Sequence, residues 1–431
     1  MTAVAICFWG SLAGLAYIFA GYPLLVGLLA RVRRRRESPH ETLVVTPVDV
    51  LLAAHNETEV LAAKLRQLAD DPLVAAIHVG IDGADPAVVA AAESVAASVA
   101  TSVANSRAGA SSPPTGSVLH RTGIHVHPFP KRRGKPAILS ELMSHVGAPT
   151  TVLVDARQPL ADGAIAALCR RLQDPAIGVV SGELIFRTDD DATSASEGVG
   201  AYWRYEKFIR KSEAAFRSVP GATGALYAIR SSLLRPIPPN TLLDDVVIPM
   251  QAIEQGARCV FEPAAIVYDR PSTEPAREAV RKRRTIAGAA QLIVAQPRWL
   301  LPWRNPIWWE YVSHKLARLA APFLLVATFV ANAVLAWPPR EHPGYALLFF
   351  GQVACYLAAG AGAIAQRRNW RIPGLSLPLM FVTLNGTTAL ALVDAVRGRF
   401  TATWERSEAE APASASSGID RTAHERTAAR S

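Results

Sequence analysis

Cysteine is scarce. Cys7, Cys169, Cys259 and Cys355 are the only four in 431 residues, with no Cys-x-x-Cys pair and no histidine at ligand spacing. That pattern excludes a disulfide scaffold and a structural zinc site, and it fits a reducing compartment for the middle of the chain. Charge is also sparse, at 19% of residues against 50% hydrophobic. So apolar a chain is neither disordered nor collagen-like, and part of it is expected in lipid. Several signatures are missing: a Gly-x-Ser-x-Gly elbow, a phosphate-binding Gly-x4-Gly-Lys-Ser/Thr loop, a His-Glu-x-x-His helix and any internal repeat. His125 and His127 alternate as on a surface strand, which is a weaker basis for a metal site than for an ordinary strand.

What is present is long apolar sequence. Thr2 to Ala30 carries no charged side chain, more than the ~20 residues a helix needs to cross a hydrocarbon core. Arg31, Arg33, Arg34, Arg35 and Arg36 follow it directly. The net charge of +9 is therefore read as juxtamembrane charge that sets orientation and meets anionic headgroups, with no nucleic acid as partner. Leu319–Trp337, Gly344–Gln366 and Ile372–Val393 are three further uncharged stretches. The third contains Pro373 and Pro378, and it reads equally as a spanning helix or a re-entrant segment, which leaves the side of the C-terminus open. Trp299, Trp303, Trp308 and Trp309 crowd Pro297–Tyr311 and are expected in the headgroup zone. The aromatic, basic stretch Ala201–Lys211 either lies on the membrane or packs against the sheet.

The expected organisation has six parts. Residues 1–30 form a transmembrane helix and 31–44 a basic linker; 45–295 form a cytoplasmic catalytic domain. An interfacial segment (296–315), C-terminal transmembrane helices (316–396) and a polar, disordered tail (397–431) follow. The chain is then a multi-pass protein of the cell (inner) membrane. Within 45–295, the β-branched runs Val48–Ala53, Ile77–Ile81, Val152–Val154 and Gly178–Val180 alternate with helical patterns. That rhythm predicts an α/β fold with a mostly parallel sheet flanked by helices, and a ligand site at the carboxyl ends of the strands. Ala90–Gly116 reads as a helix followed by a mobile loop.

Carboxylates recur just past these strands: Glu57, Asp82, Asp155, and the pair Asp244-Asp245. Any one of them serves equally well as a turn or helix cap. Together, at one sheet edge, they suit a metal diphosphate and a hydroxyl that must lose its proton.

In order and spacing, VDVLLAAHNE (48–57), IDG (81–83), KRRGKPAILSEL (131–142), VLVDARQ (152–158), VSGEL (180–184), GATGALYAIR (221–230), LLDDVVIPM (242–250) and RKRRTIAG (281–288) resemble the membrane-bound, polysaccharide-synthase kind of glycosyltransferase family 2. The resemblance implies a GT-A fold, Mg2+ or Mn2+, and inverting transfer from a UDP- or GDP-linked sugar. It implies donor contacts from Ala54, Asn56, Glu57, Asp82 and Lys135, a metal at Asp155, and Asp245 as general base with Asp244 beside it. Arg281 and Arg284 correspond to a basic element near the acceptor and diphosphate. Gly224 lies in a small-residue segment that either lets an acceptor approach or forms a simple turn. Two positions depart from the pattern. Arg157 replaces the second carboxylate of the metal motif, and either grips diphosphate or turns out into a salt bridge; Thr285 replaces a tryptophan associated with chain extension. The expected acceptor is a growing cell-surface polysaccharide, with a polyisoprenyl phosphate or other lipid as the alternative. A catalytically silent synthase subunit is a third reading. Membrane lipids are expected partners, and the few helices leave room for an export partner or self-association.

Overall fold

The computed structural model describes residues 1–33, 46–108, 122–186, 194–269, 275–337, 342–368, 370 and 372–402. The expected basic linker (beyond Arg33), the loop after Ala108 and the polar tail after Ala402 fall largely or wholly outside the described residues.

Among the described residues, seven strands make one sheet: β1 (Val48–Ala54), β2 (Val74–Asp82), β3 (Gly123–Phe129), β4 (Thr150–Val154), β5 (Ile177–Phe186), β6 (Leu226–Arg230) and β7 (Arg258–Asp269). Their order is β3-β2-β1-β4-β6-β5-β7. Every pairing is parallel except those of β6, which runs antiparallel to both β4 and β5. The interior strand β1 is buried at all seven positions, which its near-continuous apolar run predicts for a strand covered on both faces. Its one charged residue, Asp49, is buried and accepts hydrogen bonds from the backbone N–H groups of Gly147 (2.7 Å) and Ala148 (2.8 Å).

Register places the site. Ala54 lies opposite Ile81, and Leu52 opposite Val154, which itself faces Leu226. The ends of β1, β2 and β4 and the approach to β6 therefore share one edge of the sheet. Asp82 and Asp155 sit at this edge, as expected for ligand-bearing residues in a parallel sheet.

Among the described residues, four helices are long and apolar enough to cross a membrane: Thr2–Val32, Trp308–Leu335, Pro343–Arg367 and Ser376–Val396. The last settles the ambiguous third stretch as one continuous helix. Pro378 falls in its first turn, where no intrahelical N–H is lost. Leu24, Leu28, Phe323, Val326, Val330, Phe350 and Leu357 stay exposed on these helices, and such an apolar surface is the kind that hydrocarbon stabilises. Phe8, Ala331 and Leu335 pack the first helix against the second, and the Thr328 hydroxyl donates to Ser11 Oγ at 2.9 Å.

One expectation about the aromatic segments changes, at Trp299, while the helix over Ala201–Lys211 packs against the sheet as one of its two readings had it, with Arg210 over the Phe261 ring of β7. Trp299 is fully buried in the main core and donates its indole N–H to Glu254 at 2.9 Å, so it belongs to the catalytic unit and not to a headgroup layer. Trp303, in contrast, is 75% exposed. Trp299→Ala is expected to lower stability by about 3–5 kcal/mol, as for other large-to-small core changes, read by denaturant unfolding in detergent. The helix Ser194–Phe216 rests on the first apolar helix. Ile209 packs on Tyr22 and Val26, and the Tyr205 hydroxyl donates to the Phe19 carbonyl at 3.0 Å. His314 then bridges two carboxylates of this helix, Glu213 at 2.8 Å and Glu206 at 3.1 Å. Buried hydrogen bonds tie the sheet unit to the apolar helices.

Candidate active site

The loop before Lys135 is fixed by Asp82. Its buried carboxylate accepts from the backbone N–H groups of Arg133 (2.7 Å) and Gly134 (3.0 Å). Gly134 has φ +81°, a backbone state that glycine adopts without a Cβ penalty. The helix Lys135–Leu142 starts immediately after it, and the turn delivers the Lys135 ammonium to the centre of the edge. Nζ lies 2.8 Å from Asp155 Oδ1 and 3.1 Å from Asp244 Oδ2. Burial opposes the positive charge, but the two carboxylates outweigh it and hold the Lys135 pKa above the ordinary lysine range.

Asp244 and Asp245 open the helix Asp244–Glu254, where the helix dipole favours negative charge. Their loop is clamped from two sides. The Leu242 N–H donates to Gln291 Oε1 at 3.0 Å, and Gly288 lies so close that a Cβ there would sit 2.7 Å from Leu243 Cγ. The helix Pro275–Ala295 thus presses on the segment that carries both aspartates. On the other side, the Ala222 N–H donates to the Asp245 carbonyl at 2.7 Å, and a Cβ on Gly224 would stand 3.2 Å from Asp245 Oδ2. Gly224 leaves open space beside that carboxylate. Burial, and then the neighbouring Asp244, push the Asp245 pKa up, to about 6; Lys315, Lys135 and Arg210 partly offset the rise.

Three more side chains complete the surroundings, none of them anticipated from sequence. Lys64 is buried and donates to the Gln158 carbonyl at 2.6 Å, which steadies the loop after Asp155. Burial lowers its pKa to about 8, with Asp155 pulling the other way. A lysine within the apolar stripe of Leu61, Leu65 and Leu68 was the available signal. Tyr227 is buried beneath the carboxylates, and burial together with Asp244, Asp245 and Asp155 drives its pKa far up. Arg210 donates to Thr223 Oγ1 at 2.8 Å and so braces the small-residue segment.

The structure therefore brings Asp82, Lys135, Asp155, Asp244, Asp245 and Gly224 together. Ala54 is buried at the end of β1, and Asn56 is exposed just beyond it. Arg157 pairs with Glu57, Nε to Oε1 at 3.4 Å, with 61% of its side chain exposed. Burial raises the Glu57 pKa even so, with Arg157 opposing the shift. Arg281 sits apart at the end of β7, 3.6 Å from Asp269, which also accepts from Gln158 at 3.2 Å. Arg284 is half-buried on the same helix. Its neighbour Arg283 pairs with Asp394 of the last apolar helix.

The donor set fits a divalent cation. Asp155 Oδ1 and Asp244 Oδ2 already converge on one positive atom, and Mg2+-like ions take one or two carboxylates and complete their shell with phosphate and water. Among the described residues no group of three or more His, Cys, Asp or Glu side chains is placed to hold a metal. The remaining ligands would have to come from outside the protein.

Comparison with known proteins agrees with this geometry. The family described as "Glycosyltransferase like family 2" matches residues 46–288, which contain the whole sheet and both aspartates. No curated protein matches the chain. Among solved structures, the fold is similar to that of the mannosyltransferase PcManGT from Pyrobaculum calidifontis in complex with GDP-Man and Mn2+. The TM-score is 0.62 at 20% identity, over 90% of this chain and 99% of that one. With a sheet edge built around Lys135, Asp155, Asp244 and Asp245 and a family match across more than half its length, the chain belongs to glycosyltransferase family 2 and is a nucleotide-sugar-dependent glycosyltransferase of GT-A fold.

Proposed function

We propose that the enzyme transfers one sugar at a time, with inversion, from a UDP- or GDP-linked donor to a growing cell-surface polysaccharide at a membrane. The observation that carries this reading is the meeting of Asp155 and Asp244 on the Lys135 ammonium at one edge of the sheet, with Asp245 the next residue along. Lys135 faces the donor diphosphate. Asp245 takes the proton from the acceptor hydroxyl as it attacks the anomeric carbon from the side opposite the leaving group. Gly224 admits the acceptor next to that carboxylate. Asp155 would hold a divalent cation, Mg2+ or Mn2+, which when bound supplies positive charge to the departing diphosphate. The retention of Asp155 and Asp245 supports an active enzyme over a silent synthase subunit.

Membrane placement, with the catalytic unit in the cytoplasm, rests on the four apolar helices and on the arginines after the first of them. The helix Ser194–Phe216 supports an acceptor arriving from the membrane side. It carries Arg210, which contacts Thr223, and it packs on the first apolar helix. Arg281 and Arg284 belong to the helix whose Gly288 presses on Leu243, and from there they are candidates for holding the acceptor or diphosphate. The Arg157–Glu57 pair supports a surface salt bridge in the donor-free state rather than a second grip on phosphate.

The test is nucleotide release from a panel of UDP- and GDP-sugars by the purified full-length chain with Mn2+, GDP-mannose included because the similar structure holds it. One donor is expected to be consumed, with product growing in length on a gel. A single addition to lipid would shift the acceptor to a polyisoprenyl phosphate or similar molecule. No consumption of any donor would overturn the reading. The base also predicts a pH profile. Asp245 accepts a proton only as the carboxylate, so the transfer rate should rise with pH through about 6 and level off above 7. Initial rates between pH 5 and 8 measure this, and a flat profile would remove Asp245 from the role.

A further inference from the structure

The metal motif of this chain has one carboxylate where two are usual, because Arg157 follows Asp155 at the second position and turns to Glu57. Another carboxylate nevertheless meets Asp155. Asp244, 89 residues further along the chain, shares with it the Lys135 ammonium, at 3.1 Å and 2.8 Å respectively. Asp244 is buried at 8% exposure, and Lys135 is the cation that balances it.

We propose that Asp244 is the second metal ligand and that Lys135 is an internal cation that occupies the metal position until a nucleoside diphosphate arrives. This rests on the reading of the cleft as the donor site. The physical argument is one of charge. Two carboxylates facing each other, one buried (Asp244) and one partly exposed (Asp155), repel unless a cation lies between them. Lysine gives them a single charge, hydrogen-bonded to Asp155 at 2.8 Å but leaving Asp244 Oδ2 without a hydrogen-bond donor, whereas Mg2+ would sit at about 2.0–2.1 Å from each ligating oxygen. The ammonium and the metal cannot share that position. Lysine differs from a fixed guanidinium in having a flexible four-carbon stem, so Nζ can leave the carboxylates for another anion within reach. The incoming diphosphate is that anion. It accepts Lys135 on one side and supplies the metal's missing oxygen ligands on the other. Metal and diphosphate therefore bind together, each raising the affinity for the other by the same factor. Free metal alone is kept out of the donor-free site, so Asp155 and Asp244 remain neutralised in both states. Asp245, the next residue, stays free to act as base.

The experiment reads metal binding and not turnover. Free Mn2+ is followed by electron paramagnetic resonance in titrations of the full-length protein in detergent, alone and with GDP or UDP. The wild type is expected to bind Mn2+ at least about tenfold more tightly with the diphosphate than without it. Lys135→Met is expected to bind Mn2+ alone at least about tenfold more tightly than the wild type, since the competing charge is gone. Lys135→Gln should behave the same way, so the result does not depend on one variant folding. Lys135→Met combined with Asp244→Asn should lose the gain. Thermal unfolding confirms that each variant is folded. Neutral variants that bind Mn2+ no more tightly than the wild type would overturn the proposal, as would a double variant that keeps the gain. If neither GDP nor UDP binds the wild type in the presence of Mn2+, the donor-site reading beneath it fails instead, whatever the variants do.

Discussion

Asp245→Asn is expected to reduce turnover by about 10²–10⁴, the contribution of a positioned general base, while nucleotide affinity changes by no more than a few-fold. The reasoning is geometric. Asp245 opens a helix whose first turn is clamped by Gln291 and Gly288 on one side and by Ala222 and Gly224 on the other. Asparagine preserves the shape and removes only the charge. The Lys135 ammonium pairs with Asp244, the neighbour of Asp245, and with Asp155. Donor binding should therefore survive the change. Single-turnover rates combined with equilibrium nucleotide binding separate the two effects. A variant with near wild-type turnover would assign the base elsewhere.

Asp155→Ala should be at least as damaging, through a different step. It removes the carboxylate nearest Lys135 and the first ligand for a divalent ion, leaving Asp244 as the ammonium's single partner there. Loss of charge stabilisation on the leaving diphosphate is worth several kcal/mol, about 10³ in rate. The Mn2+ concentration for half-maximal activity should also move upward. Steady-state nucleotide release across a Mn2+ titration checks both. Activity within about fivefold of the wild type, with an unchanged Mn2+ midpoint, would place the metal elsewhere.

Much of this was legible from residue order. The interior strands and the carboxylates after them follow from apolar runs that end in Asp82 and Asp155, because a parallel strand covered on both faces is mostly apolar along its length. The apolar helices follow from length alone. The antiparallel β6 was not legible as a strand of this sheet. Its sequence, Leu226–Arg230, is short, and pairing direction is set by tertiary context. The meeting of Lys135 with Asp155 and Asp244 was also out of reach. It depends on a positive-φ turn at Gly134 and on a helix start more than a hundred residues later. Composition misled at Trp299. Tryptophan among prolines and arginines suits a headgroup layer, yet this indole fills the core, where Glu254 accepts its N–H. Lys64 was hidden for a related reason, since a lysine in an apolar stripe reads as solvated until its carbonyl partner is seen.

A structure of the full-length chain with Mn2+ and its nucleotide-sugar donor bound examines the shared cleft most directly. It should show the diphosphate within hydrogen-bond reach of Lys135, the metal on Asp155, and the anomeric carbon turned toward Asp245. A donor seated away from this edge, or an Asp245 carboxylate on the leaving-group side of the sugar, would contradict the mechanism at its root.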